Sequence, residues 1–117
     1  MSNRIPVHLS KDRYWLSLIH LFKNHPKLNQ MFTTKYFDMD AEIIKIQSLK
    51  RNSAAWSNSE KIMLNLALHL FNERNKFNLS DLDYLDINNK KLAFEAIRIR
   101  FYGYSICPTS IGFIRGD

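Results

Sequence analysis

Four histidines, a single cysteine and three closely spaced aspartates are the side chains of this chain with the most obvious capacity for chemistry. His8, His20, His25 and His69 show no His-x-x-x-His spacing, which would place two imidazoles on one helical face for a metal. Neither His20 nor His69 has a carboxylate one turn away on its own predicted helix, so ordinary hydrogen bonding is the expected role. Asp81, Asp83 and Asp86 lack the glycine and the distal glutamate of a calcium loop, and capping and solvation explain them better. Cys107 is the one thiol and precedes Pro108 in an apolar segment, where a packed structural cysteine is expected rather than a nucleophile. One cysteine also excludes an internal disulfide and a zinc site of the usual cysteine kind. No Gly-x-Ser-x-Gly elbow is present, and the three glycines, Gly103, Gly112 and Gly116, all fall near the end of the chain. A phosphate-cradling loop of the P-loop or dinucleotide type has nowhere to form. The expectation is a protein that is not an enzyme, with no catalytic residue, no metal and no cofactor.

What remains is charge. The net charge is +6, and it is uneven: nine basic residues stand against four acidic ones through Arg51, and eight against seven from Asn52 onward. A basic surface draws nucleic acid or another polyanion by long-range electrostatics. Lys23, Lys27, Lys35, Lys45, Lys50 and Arg51 are the candidate residues for binding a polyanion or acidic partner, and Lys90, Lys91, Arg98 and Arg100 form a second candidate basic surface. No helix-turn-helix spacing and no arginine-rich recognition helix accompanies them. Phosphate contact with little sequence specificity is the mode these residues support.

The elements that must position these cations are mostly helical. Ser57 followed by Glu60 is a capping box, and beyond it Ile62, Met63, Leu64, Leu66, Ala67, Leu68, Leu70 and Phe71 cover most of a helix, leaving Lys61, Asn65, His69 and Asn72 as a polar stripe. This central helix, residues 57–72, must be covered on nearly all sides. Trp15, Leu18, Ile19 and Phe22 predict a first helix over Lys11–Asn24, capped by Ser10 after an extended lead-in. Pro26 opens a shorter helix with Leu28, Met31 and Phe32 inward. Residues 36–51 fit either a helix capped by Asp40 or a short strand at Ile44 and Ile46; helix or irregular structure is favoured, because a strand there has no evident partner unless the C-terminal tail supplies one. Leu79, Leu82 and Leu85 suggest a short turn of helix. Asp86 caps a last helix, Ile87–Tyr102, that stops at Gly103, with Leu92, Ala93, Ala96, Ile97 and Phe101 inward and Lys91, Glu95 and Arg98 outside at ion-pairing distance.

The tail from Tyr104 is apolar and is expected to lie extended against the body or against another subunit, with Ile106, Ile111, Phe113 and Ile114 as the candidate oligomer interface of a homodimer. The fold expected is all-α: one domain over residues 1–117, a compact bundle of four to five helices around a buried central helix, with an extended apolar C-terminal tail. No apolar run reaches the roughly 18 residues of a membrane span, and residues 1–9 do not resemble a signal peptide. A cytoplasmic protein without a membrane partner is the expectation.

Trp56 with its small polar cap, the run Lys61-Ile62-Met63-Leu64-Asn65-Leu66-Ala67-Leu68-His69-Leu70-Phe71-Asn72, the stretch Ala96-Ile97-Arg98-Ile99-Arg100-Phe101 and Tyr36-Phe37-Asp38 together resemble the small bacterial proteins of the domain of unknown function 6075 family. The resemblance covers roughly residues 16–104, departing between Glu73 and Asp86. That family has no established activity, so it assigns no role to any residue. It implies a bacterial origin on a phage or mobile element, and proteins in that company often bind and block a host machine. The combined expectation is a binding protein for nucleic acid or a nucleoprotein complex, acting as a regulator or as an anti-CRISPR-like inhibitor of a host defence nuclease. The alternative is a protein–protein interaction module or homodimer that uses the tail.

Overall fold

Ser57 starts the central helix, α4 (Asn58–Phe71), in the way its sequence requires. Its hydroxyl accepts the Glu60 N–H at 3.4 Å, and the Glu60 carboxylate accepts the Ser57 N–H at 3.0 Å. The computed structural model describes residues 5–103; the tail and its residues Ile106, Cys107, Ile111, Phe113 and Ile114 lie outside that range. Ile62, Met63, Leu64, Leu66, Ala67, Leu68 and Leu70 of α4 are all buried. Three helices and a 3-10 segment, Leu79–Tyr84, supply the cover: α1 (Arg13–Asn24), α2 (Pro26–Gln30) and α5 (Ile87–Tyr102). Helix α1 packs against both α4 and α5, and the polar stripe of α4 is left towards solvent, with Lys61, Asn65 and Asn72 exposed and His69 half-buried.

Two boundaries differ from the sequence expectation. Residues 7–9 form a 3-10 turn that buries Leu9, and the Ser10 hydroxyl donates back to the Val7 carbonyl at 2.8 Å. With Ser10 used in that turn, Asp12 becomes the N-cap of α1, its carboxylate accepting the Tyr14 and Trp15 N–H groups. The expected start at Lys11 is therefore two residues early. Helix α2 begins at Pro26 as predicted, and its cap is the buried His25, whose Nδ1 accepts the N–H groups of Lys27 and Leu28 at 3.2 and 3.4 Å.

Residues 36–51 hold both structures that the sequence allowed. Strands β1 (Phe37–Asp38) and β2 (Ile43–Ile44) pair antiparallel, Phe37 with Ile44 and Asp38 with Ile43. The partner for the strand is thus the segment just upstream, too short to show a period. Asp38 accepts the Ala41 N–H, and Glu42 takes a left-handed φ of 58° to close the turn. Asp40 caps nothing; helix α3 (Ile46–Asn52) follows the hairpin and buries Leu49. The fold is mostly helical with a two-strand hairpin, not all-α. Phe37 joins Phe22 and Phe32 in an aromatic cluster with centroids 5.0–6.2 Å apart, and Trp15 meets Phe71 edge-on at 5.0 Å.

Asp86 caps α5 through the Asn89 N–H at 2.8 Å, and Gly103, at φ 81°, ends it. The inward face is centred on Ala93, Ala96 and Ile99, with Leu92 and Ile97 partly buried. Phe101, expected inside, is 58% exposed, because it lies about 140° around the helix from Ala96. The small side chains of Ala93 and Ala96 suit close packing and put the contact line there. Glu95 pairs across to His20 of α1 at 2.9 Å instead of with Lys91 or Arg98. Among the described residues no helix is long and apolar enough to cross a membrane.

The capping box makes α4 testable at one atom. Ser57→Ala is expected to cost about 1 kcal/mol, lowering Tm by roughly 4–8 °C in thermal unfolding, while Ser57→Asp keeps most of the stability.

Candidate functional site

Helix α3 carries its cations late: Lys50 and Arg51 lie in the last turn, where they complement the negative end of the helix dipole. From there the chain turns at Ser53, which is buried, with its N–H on the Leu49 carbonyl and its hydroxyl on the Lys50 carbonyl. That turn sets the end of α3 opposite the start of the polar stripe of α4. Lys50, Ser53 and Ala54 form one wall of a cleft of about 310 Å³, and Lys61, Leu64 and Asn65 form the other. Among the described residues no carboxylate lines it. Leu64 supplies an apolar floor, while the two exposed lysines and the Asn65 amide supply donors.

The remaining N-terminal cations are distributed around this half of the molecule. Lys27 of α2 is half-buried, with its ammonium 5.8 Å from the Trp56 ring centre, and its charge helps hold the Glu60 carboxyl below its ordinary value, behind the larger effect of the Ser57 N–H. Lys35 lies 5.3 Å over Tyr36, whose hydroxyl accepts from the Asn52 side chain at the end of α3. Lys23 is exposed in the last turn of α1, and Lys45 is exposed at the entry to α3. Arg51 is exposed and reaches Ser48 at 3.3 Å. Of the six candidates, Lys50 alone lines the cleft. Its companions there, Lys61 and Asn65, were visible in the sequence as a polar stripe and not as a site.

The second set separates in the same way. Arg100 donates its Nε to the Leu70 carbonyl at 3.1 Å, with its guanidinium 3.7 Å from the Tyr14 ring centre and 4.9 Å from that of Phe101. It holds α4, α5 and α1 together. Lys91 and Arg98 are exposed and Lys90 is half-buried. Among the described residues the close contacts between a basic side chain and a carboxylate are His8 with Glu42 at 3.6 Å and His20 with Glu95 at 2.9 Å. No lysine or arginine there pairs with a carboxylate, so the cationic charge is not neutralised by close contacts within the described part of the fold.

The histidines are structural in their contacts. His20 joins Glu95 and Asn24, and His69 gives its Nδ1 hydrogen to the Asn75 carbonyl at 2.9 Å while stacking on Phe77. Among the described residues no three His, Cys, Asp or Glu side chains gather as metal ligands. No family model, no curated protein and no solved structure matches this chain.

His25 has a pH consequence. Burial lowers its pKa from the ordinary 6.5, against the opposing pull of Glu60 and Asp86, and protonation of Nδ1 would remove the acceptor that caps α2. A folded pKa below the unfolded one means that the unfolded chain takes up protons first. The stabilisation is present above pH about 6.5 and is lost as pH falls below it. Thermal melts from pH 7.5 down to 5 should show Tm dropping, and His25→Asn, which caps without titrating, should make that segment of the profile flatter.

Proposed function

We propose that this chain is a non-enzymatic binding protein that engages nucleic acid, or a nucleoprotein complex, through the cations of its N-terminal half, with a phosphate group held between Lys50 and Lys61. The observation that carries this reading is the cleft: two lysines from different helices and an amide line it, and among the described residues neither lysine pairs with a carboxylate. The cleft is open to solvent, so a phosphate on an extended polymer can reach both lysines. Lysines act as point charges and read no base edge, so binding should be governed by salt and tolerant of sequence. Lys23, Lys27, Lys35, Lys45 and Arg51, distributed around the same half of the molecule, add to the positive field that attracts the polyanion. The resemblance to the domain of unknown function 6075 family implies only a phage or mobile-element origin; on that ground the proposal extends to a host defence nuclease as the complex engaged, with this chain as its regulator or inhibitor.

The test is fluorescence anisotropy with labelled single- and double-stranded oligonucleotides across a salt series, comparing the natural chain with Lys50→Glu/Lys61→Glu. Both lysines are exposed, so melting should fall only slightly, by the cost of a carboxylate in the last turn of α3. Affinity is expected to fall at least about tenfold, and the slope of log K against log salt to shrink by roughly 1.4–1.8, as expected for two lost phosphate contacts. Equal affinity and equal slope for the two proteins would discard the cleft as the phosphate site.

A further inference from the structure

Along the outside of α5, Ile87, Lys91, Phe94, Arg98 and Phe101 follow one another at spacings of four, three, four and three. At 3.6 residues per turn these positions fall within a sector of about 80° and make a row about 21 Å long. The apolar members are well exposed, Ile87 at 77%, Phe94 at 56% and Phe101 at 58%, and both cations between them are exposed too. The one carboxylate of α5, Glu95, lies one turn from both Lys91 and Arg98 but is hydrogen-bonded to His20 and makes no close pair with either. The Arg100 guanidinium beside Tyr14 and Phe101 steadies one end of it. Three large apolar groups left in water on one helix face, with cations between them, are a candidate contact surface.

Its charge selects the occupant. A second copy laid antiparallel about Phe94 would set Lys91 against Arg98 twice, and a parallel copy would set each cation against itself. Either arrangement juxtaposes like charges with no carboxylate in the row to relieve them. The occupant therefore brings negative charge. Its spacing is fixed as well, because the apolar and the cationic groups each repeat every seven residues, about 10.5 Å. Another α-helix with a seven-residue pattern has the same rise and can meet both series in register. A nucleic-acid strand repeats its phosphates at about 3.4 Å in a duplex and binds exposed rings by stacking, which Ile87 cannot offer. We propose that the outer face of α5 docks an acidic amphipathic helix of a partner protein, its apolar side chains between Ile87, Phe94 and Phe101 and its carboxylates on Lys91 and Arg98. This surface is separate from the Lys50–Lys61 cleft and stands without it.

The experiment is selection of phage-displayed helical 21-residue peptides on the full-length chain, followed by affinity measurement of the enriched peptides. Enriched sequences are expected to carry an apolar residue every seventh position with Glu or Asp beside it. They should lose at least about tenfold in affinity on Phe94→Ser/Phe101→Ser and on Lys91→Glu/Arg98→Glu. A peptide with lysine in place of its acids should bind the Lys91→Glu/Arg98→Glu protein and not the natural one. All four positions are exposed, and unchanged melting checks that each variant folds. Failure to enrich any peptide, enrichment without acidic residues, or equal binding by the variants would overturn the proposal. A fall in solution mass from dimer to monomer on Phe94→Ser/Phe101→Ser would give the face to a second copy instead. If that pair weakened binding of oligodeoxythymidylate, the face would belong to nucleic acid, whatever the outcome at Lys50 and Lys61.

Discussion

Helix α4 is apolar on every side but one, and a helix of that kind persists in water only when other elements wrap it. Met63, Leu64, Leu66, Ala67 and Leu68 are no more than 2% exposed, and full burial of each Leu or Met contributes on the order of 1.5–3 kcal/mol before conformational entropy is set against it. The placement of α1, α2, α5 and the 3-10 segment follows from that need. The strip they leave bare begins at Lys61 and Asn65, and the cleft opens on it. Leu64, which floors the cleft, is also a core residue. Core and cleft therefore meet at Leu64, and a change in packing beneath it acts on the floor of the cleft.

The ends of the helices are held by a second device. The Arg100 guanidinium reaches the Leu70 carbonyl in the last turn of α4, and Arg13 of α1 reaches the Arg100 and Phe101 carbonyls in the last turn of α5. These carbonyls lack partners within their own helices, and a cation there also meets the negative end of the dipole. The basic residues thus fall into two populations. Two arginines serve as joints, with planar forks that suit paired carbonyls and ring faces. Lys50, Lys61, Lys91 and Arg98 face outward, and their charge is offered to whatever approaches.

Local signals in the sequence were sufficient for most of the fold. The Ser57–Glu60 box, Pro26, Asp86 and Gly103 each mark a boundary through hydrogen bonds or backbone angles confined to a few residues. Where two cap residues compete, as Ser10 and Asp12 do, the winner depends on the preceding 3-10 turn, whose pull comes from burying Leu9. The hairpin was hidden because two-residue strands have no period. On α5, apolar residues occur all round the helix, so only the approach of α1 to Ala93 and Ala96 decides that Ile99 is inside and Phe101 outside. The site was half legible: Lys50 stood out as charge and Lys61 as a break in an apolar helix, but their meeting depends on the turn at Ser53. His20 and Glu95, 75 residues apart, left no trace at all.

The two tryptophans occupy opposite environments. Trp15 is 2% exposed and edge-on to Phe71, whereas Trp56 is half-buried beside Lys27 at the entrance to α4. Intrinsic fluorescence from this chain is accordingly a sum of two distinct emitters. The inner indole emits at short wavelength and is shielded from dissolved quenchers. The outer one emits further to the red, and the neighbouring ammonium draws iodide towards it more strongly than it draws caesium. Collisional quenching therefore separates the state of the core from that of the surface near the start of α4 without a label, and each can be followed in the presence of the other.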